Sequence, residues 1–175
     1  MLPKNIVLLP HFLSRNICLP LLAKKFNSRK FSTMKISEDQ MKFVLKPGVI
    51  ILSQIFSKNG FEIRLVGGAV RDLLMNIIPT DLDFATTATP KQMKNMFEEE
   101  NIQMINLSGE KHGTMTARIE EENLECTTLN LGKEEIIDGI ENYELWKLDA
   151  EKRDLTINAL FLGLDGNVYD YFDGV

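Results

Sequence analysis

Cysteine is scarce in this 175-residue sequence, which contains only Cys18 and Cys126. Two cysteines are too few for a disulfide framework or a cysteine-based zinc site, so we interpret both as free thiols of a reducing compartment. Long apolar runs are also missing, because Lys, Arg, Asn or Pro interrupts each apolar stretch. A membrane-spanning helix is therefore not expected. The hydrophobic and charged fractions, 44% and 26%, are ordinary for a soluble globular protein.

Acidic residues are absent from the first 35 positions, which hold seven Lys or Arg residues among many apolar ones. A basic, amphipathic and acid-poor segment is typical of a transit peptide, so residues 1–33 are predicted to direct import into the mitochondrial matrix. The alternatives are a basic arm that contacts nucleic acid and a secretory signal, although three prolines and the late Lys24-Lys25 pair fit a secretory signal poorly. Translation from Met34 would omit the segment and predicts an additional cytosolic or nuclear form.

The rest of the chain is acidic, since residues 36–175 hold 13 Lys or Arg against 25 Asp or Glu, a formal charge of −12. Affinity for nucleic acid usually comes from clustered basic side chains that neutralise phosphates, so we expect this part alone to bind RNA weakly. No internal repeat or low-complexity tract divides it. We therefore predict a single domain over residues 34–175.

Apolar spacing and turn residues predict an α/β fold, in which helices flank a mixed sheet of about five strands. Pro47-Gly48 is expected to divide the first helical region, and Thr89, Pro90 and Gln92 form the pattern of a capped helix start. The predicted helices cover residues 36–56, 69–75, 90–100 and 146–160. The predicted strands cover residues 61–66, 81–85, 102–107, 114–119 and 124–129, and a hairpin over 161–164 and 167–169 turns at Asp165-Gly166.

Asp81 and Asp83 are separated by one residue on a predicted strand, where side chains alternate between faces. Both carboxylates are expected on one face, with Leu82 and Phe84 facing the core. Adjacent carboxylates repel each other unless a cation lies between them, and oxygen ligands at this spacing suit Mg²⁺ together with substrate phosphates. The pair indicates a metal-assisted phosphoryl-transfer site, the alternative being two solvated acids on an edge strand.

Gly67 and Gly68 stand between a predicted strand and a predicted helix, and Arg71 follows in the same helix. Backbone N–H groups at such a turn point at any bound anion, which favours a triphosphate. The segment lacks the glycine patterns of other common nucleotide sites. A structural glycine turn, with Arg71 paired to a neighbouring acid, is the alternative interpretation.

Further polar residues are candidates for the same chemistry. Glu125, on a predicted strand, is a possible third carboxylate that binds metal or takes the proton from an attacking hydroxyl, and a solvated strand acid is the alternative. Arg153 suits bidentate phosphate binding and Asp154 suits the ribose hydroxyls, unless the two form an ordinary helix-surface ion pair. His112 could contact phosphate or RNA, but a lone histidine is more often structural.

Taken in order along the chain, these motifs resemble the head domain of class II tRNA nucleotidyltransferases and bacterial poly(A) polymerases. The Thr86–Pro90 segment and the basic leader are similar to animal CCA-adding enzymes in particular. The motifs that carry the resemblance lie at Leu65–Leu74, Asp81–Phe84, Gly109–Thr114, Arg153–Leu160 and Tyr169–Gly174.

The resemblance implies a polymerase β-like nucleotidyltransferase head that uses CTP and ATP to add C, C and A to the 3′ end of tRNA without a template. By position in the motifs, Asp81 and Asp83 would hold Mg²⁺. The remaining site residues would bind the nucleotide: Gly67, Gly68, Arg71, Arg153 and Asp154.

The sequence departs from this family's pattern in three places. Lys152 takes the place of the first of two paired arginines, and Asn130 stands where an arginine often occurs. The segment 138–142 lacks the basic residue that relatives often carry there. We also expect the neck, body and tail regions to be absent from this chain, so a non-catalytic fragment that binds a nucleotide or a partner, and a poly(A)-adding enzyme, stay open as alternatives.

Overall fold

The computed structural model of the chain describes residues 34–105, 109, 112–131 and 141–175. The predicted transit peptide over 1–33 lies outside these residues, as do the end of the third predicted strand and residues 132–140. Among the helices within the described residues, none has the length and apolar character that a membrane span requires.

Two helix starts, at Pro47 and Pro90, follow the sequence signals closely. Helix α1 spans Glu38–Val44 and α2 spans Pro47–Lys58, so Pro47 opens a new helix as predicted. Helix α4, Pro90–Glu99, begins with a complete capping box: the Thr89 hydroxyl accepts the Gln92 backbone N–H at 3.3 Å, and the Gln92 side chain accepts the Thr89 N–H at 2.8 Å.

Within the described residues the sheet has seven strands, because the C-terminal hairpin joins the five strands expected from the rest of the sequence. The strands are β1 Ile63–Val66, β2 Asp83–Thr86, β3 Gln103–Ile105, β4 Thr114–Ile119, β5 Glu122–Thr128, β6 Phe161–Gly163 and β7 Val168–Tyr169. Helix α3, Gly68–Leu74, lies between β1 and β2 in the chain, and α5, Asn142–Glu151, precedes β6. The spatial order is β3-β4-β5-β2-β1-β6-β7. The prediction of a mixed sheet is confirmed: β2 and β5 run parallel, and the other neighbouring pairs run antiparallel.

The sheet separates two apolar cores. Leu65 and Val66 are neighbours in β1 but belong to different buried clusters, and the same holds for Phe84 and Ala85 in β2. This alternation is expected of strands that are covered on both faces. Helices α1 to α4 contribute to the larger cluster, and α5 contributes to the smaller one.

The helix predicted over residues 146–160 is wrong in both bounds. Helix α5 begins at Asn142 and ends at Glu151, and a short 3₁₀ helix covers Thr156–Asn158. Leu155 between them is extended, and its N–H donates to the Asp154 carboxylate at 2.9 Å. The Asp154 side chain therefore satisfies a backbone donor that a continuous helix would have engaged, which interrupts the helix.

Gly48, in the first turn of α2, packs against a strand and should not tolerate a side chain. An added Cβ would lie 2.7 Å from Glu122 Oε2 and 3.0 Å from the Ile119 carbonyl oxygen. We expect Gly48→Ala to lower the free energy of unfolding by about 1–2 kcal/mol in urea denaturation, because overpacking against backbone outweighs the helix preference of alanine. The exposed Ile50 of the same helix supplies the control, and Ile50→Ala should stay within about 0.5 kcal/mol. Equal effects of the two changes would contradict the packing argument.

Candidate functional site

A cleft of about 600 Å³ lies where the ends of β1 and β5 meet the segment that follows α5. The five residues predicted to bind the nucleotide all line this cleft, although they come from two regions more than eighty positions apart. Six further residues line it that the sequence analysis did not assign to the nucleotide site. The lining residues are Gly67, Gly68, Arg71, Thr127, Thr128, Asn130, Asp149, Lys152, Arg153, Asp154 and Asn158.

The glycine pair forms the turn from β1 into α3. Gly67 precedes the helix with φ +66° and ψ −135°, a conformation that favours glycine. A Cβ on Gly68 would lie 3.5 Å from Arg71 Nη2. The Arg71 guanidinium donates through Nε and Nη2 to Asp72 Oδ1 at 3.0 and 2.8 Å. Arg71 therefore both lines the cleft and pairs with a neighbouring acid, so the two interpretations of this residue are compatible.

The acid pair lies beside this turn. Asp83 is the first residue of β2, Asp81 precedes the strand, and both are exposed, whereas Leu82 is partly buried against the core and Phe84 is buried. Since β1 and β2 are antiparallel and Leu65 pairs with Phe84, the start of β2 lies beside the end of β1, where the glycine turn begins.

Glu125 lies next to Asp83, on the neighbouring strand of the sheet. In the parallel β2–β5 pair, Asp83 and Glu125 are register partners, so their side chains are on the same face. Glu125 is exposed, and Thr127, two residues further along that face, lines the cleft. By contrast the adjacent Cys126 is fully buried, and burial together with the charge of Glu125 raises the pKa of its thiol, which keeps it protonated and unreactive.

The two aspartates have the electrostatics of an incomplete cation site. Partial burial, and then the negative charge of Asp81, raise the pKa of the Asp83 carboxyl above its usual range. A cation between the carboxylates would relieve both effects. Across the residues that the structure describes, no group of three or more His, Cys, Asp or Glu side chains could hold a metal by itself. Two carboxylates suit a divalent ion that completes its coordination with substrate oxygens and water, as Mg²⁺ commonly does.

Arg153 enters the cleft from the bend after α5 and is held by an acid that the sequence analysis did not single out. Its Nε and Nη2 donate to Asp149 Oδ2 at 3.1 and 3.0 Å, and its Cζ lies 5.4 Å from the centre of the Phe161 ring. The spacing of four residues between Asp149 and Arg153 was the available sequence signal. Asp154 does not pair with Arg153; it is exposed and accepts the Asn158 side-chain amide at 3.5 Å.

His112 is exposed and is not part of the cleft lining. The structure thus brings it to the surface without placing it among the nucleotide-site candidates. A contact with RNA stays a prediction for this residue.

A partly buried ion pair fixes α5 against the sheet on the same side as the cleft. Glu62 accepts Arg64 Nη2 at 2.9 Å and the indole N–H of Trp146 at 2.7 Å. Arg64 lies between two rings, with its Cζ 4.1 Å from the centre of Trp146 and 3.8 Å from that of Tyr169. It also donates to the Tyr171 hydroxyl at 3.1 Å. Strand β1, helix α5 and the C-terminal segment are joined by this one group of contacts.

One family model and several known proteins are similar to this chain. The model of the family described as "Poly A polymerase head domain" matches residues 63–175. The chain is 50% identical over 153 residues to the mitochondrial CCA tRNA nucleotidyltransferase 1 of Danio rerio, covering 85% of this chain and 35% of the relative. It is 48% identical over 162 residues to the Homo sapiens protein of the same name, covering 90% of this chain and 35% of the relative. The chain thus spans about one third of the length of these curated relatives.

A solved structure shares the fold as well as part of the sequence. The Bacillus stearothermophilus CCA-adding enzyme in complex with CTP matches with a TM-score of 0.59 and 30% identity. The match covers 74% of this chain and 31% of that structure. The α/β fold expected for this kind of head domain is therefore confirmed.

Proposed function

This chain belongs to the poly(A) polymerase head-domain family, and from that premise we propose that it is the nucleotide- and metal-binding head of an enzyme that adds CCA to the 3′ end of tRNA. The observation that carries the proposal is the cleft. The glycine turn with Arg71 meets the distant Arg153-Asp154 segment there, beside a pair of aspartates. CTP and ATP would be the substrates. The CCA-adding names of the relatives, and the complex of the Bacillus stearothermophilus enzyme with CTP, support this choice.

Each group of residues has a task that its position allows. The turn at Gly67 and Gly68, with Arg71 and Arg153, binds the triphosphate, because a planar guanidinium pairs well with phosphate oxygens. Asp154 is suited to accept hydrogen bonds from the ribose hydroxyls. These contacts orient the nucleotide so that its α-phosphate faces the aspartates at the start of β2.

Asp81 and Asp83 would hold a divalent cation, which we propose is Mg²⁺. Bound there, it would lower the pKa of the RNA 3′ hydroxyl and neutralise charge on the α-phosphate and the leaving pyrophosphate. The hydroxyl oxygen forms a bond to the α-phosphorus, the bond to the bridging oxygen breaks, and pyrophosphate leaves. Glu125, in register with Asp83, is the carboxylate that we propose takes the hydroxyl proton.

The RNA partner and the cellular site are also proposals. We propose tRNA as the acceptor, held weakly by this part of the chain because residues 36–175 carry a formal charge of −12. We propose residues 1–33 as a mitochondrial transit peptide and 34–175 as the head domain, supported by the mitochondrial designation of the relatives. Those names give no support to the additional cytosolic or nuclear form that Met34 suggested.

The family description itself supplies a second candidate, poly(A) addition. The two are separated by the products made on a tRNA that lacks its 3′ CCA, using ATP alone, CTP alone, or both, with Mg²⁺. CCA addition predicts two C residues with CTP alone, and one terminal A after them with both. Long A tails from ATP alone would favour poly(A) addition, and bound CTP without extension under any condition would favour a non-catalytic binding role.

A further inference from the structure

Asp149 is a buried carboxylate whose hydrogen bonds join two parts of the cleft. The residue is only 4% exposed. Its Oδ1 accepts the backbone N–H of Asn130 at 2.7 Å, and its Oδ2 accepts Nε and Nη2 of Arg153. Asn130 follows β5 and Arg153 follows α5, so one side chain ties together two segments that are distant in sequence.

Stability alone does not account for a carboxylate at this position. Trp146 and Ala150, on the same helix, are buried in an apolar cluster that a hydrophobic residue at 149 would extend. A buried charge loses its hydration, and a buried ion pair is often no more stabilising than apolar packing. An apolar residue could neither accept the Asn130 backbone N–H nor fix the orientation of the Arg153 guanidinium.

The geometry of the pair leaves part of that guanidinium for another partner. Arginine has five N–H donors in a rigid plane, and the contact with Asp149 uses Nε and Nη2. The Nη1 group is not engaged in this pair, and Arg153 lines the cleft. A guanidinium whose plane is already fixed loses less conformational freedom when it binds a phosphate.

We propose that Asp149 is a positioning residue, which holds Arg153 in the orientation that binds the phosphates of a nucleoside triphosphate. The inference rests on the proposed function, because it takes the cleft as the nucleotide site. Its substrate class is any nucleoside triphosphate, since the contact concerns phosphate and not the base. The bond to Asn130 keeps the segment after β5 in the same arrangement.

Charge and positioning predict opposite effects when Asp149 is replaced by asparagine. The negative charge of Asp149 repels a triphosphate, so loss of the charge alone would strengthen CTP binding. Loss of the bonds that align Arg153 would weaken it. The sign of the change therefore distinguishes a positioning residue from an acid that merely lies near the site.

The test is equilibrium binding of CTP with Mg²⁺, measured by calorimetry on the full chain and its variants. We expect Asp149→Asn to weaken CTP binding by about tenfold to a hundredfold, as misplacement of a binding group by a fraction of an ångström to an ångström can do. Arg153→Lys should weaken binding to a similar extent, and the double variant should bind no more weakly than Arg153→Lys alone. Glu151→Gln is the matched control, because Glu151 is an exposed acid of the same helix outside the cleft lining; it should bind CTP as well as the parent.

The opposite results would contradict either the positioning role of Asp149 or the proposed function. Unchanged or tighter CTP binding by Asp149→Asn, or additive losses in the double variant, would overturn the positioning role and leave the proposed function in place. Absence of CTP binding by the parent would overturn the proposed function and the inference with it. If Asp149→Asn does not fold, Asp149→Glu replaces it: it keeps the charge, moves the carboxylate by one methylene, and should still weaken CTP binding about tenfold.

Discussion

Replacement of Asp83 by asparagine is expected to abolish nucleotide incorporation without destabilising the fold. The variant keeps the size of the side chain but loses the charge that a divalent cation requires. Since such a cation contributes several kcal/mol to the transition state, incorporation of CTP should fall by about a thousandfold or more. The measurement is the rate of Mg²⁺-dependent extension of a tRNA that lacks its 3′ end.

The stability of the same variant should change in the opposite direction. Burial and the charge of Asp81 raise the pKa of Asp83 in the folded state, so the folded protein binds this proton more tightly than the unfolded chain. The resulting stability is present below the unfolded pKa and is lost as pH rises through the folded pKa. At neutral pH the ionised carboxylate therefore weakens the metal-free fold, and Asp83→Asn should unfold at the same temperature as the parent or slightly above it.

Asp39→Asn is the matched control for this prediction, because Asp39 is an exposed acid at the start of α1 that pairs with Lys42 and is not part of the cleft lining. It should leave CTP incorporation unchanged. A clear loss of thermal stability in metal-free Asp83→Asn would contradict the electrostatic argument, and retention of more than a tenth of parental incorporation would argue against a cation held by this pair.

Loss of the Trp146 side chain is expected to have the largest effect on stability. Trp146 is fully buried, meets Phe161 edge to face with ring centres 5.0 Å apart, and donates to Glu62. Trp146→Ala should lower the free energy of unfolding by about 3–5 kcal/mol, through a cavity under α5 and the loss of contacts with Arg64. Urea denaturation of parent and variant gives this difference.

Trp146→Phe separates packing from hydrogen bonding in the same position. It keeps an aromatic ring but removes the indole N–H that Glu62 accepts. Its cost should be smaller, about 1–3 kcal/mol, because it removes one of two N–H donors to an oxygen of a partly buried carboxylate and leaves the cavity only partly filled. A cost for Trp146→Ala below about 1 kcal/mol would show that α5 is not held by this cluster.

Local signals in the sequence predicted the elements of this fold well. The cap at Thr89, the helix start at Pro47 and the hairpin at Asp165-Gly166 are each determined by residues within a few positions, and each was confirmed. The end of α5 was missed because it depends on the competition of Asp154 for a backbone N–H, which apolar spacing does not reveal. The hairpin enlarges the sheet by pairing with β1, and this pairing joins residues nearly a hundred positions apart in the sequence.

The residues of the candidate site are of two kinds: some are evident from local motifs, and others only from the fold. Residues in motifs, such as Gly67 and Arg153, can be identified from the sequence alone, and the fold brings them into one cleft. Asp149 and Asn130 were not assigned to the site, because their importance comes from a hydrogen bond between segments nineteen positions apart. The register of Asp83 with Glu125 likewise required the strand order.

We propose that the aspartates at the start of β2 hold the cation that nucleotide transfer to tRNA requires. The most direct measurement is incorporation of labelled CTP and ATP into tRNA lacking its 3′ CCA, with Mg²⁺, by this chain and by its Asp81→Ala variant. We predict addition by the parent and none by the variant. Equal addition by both would contradict a catalytic role for Asp81, and no addition by either would contradict the claim that this chain catalyses the transfer.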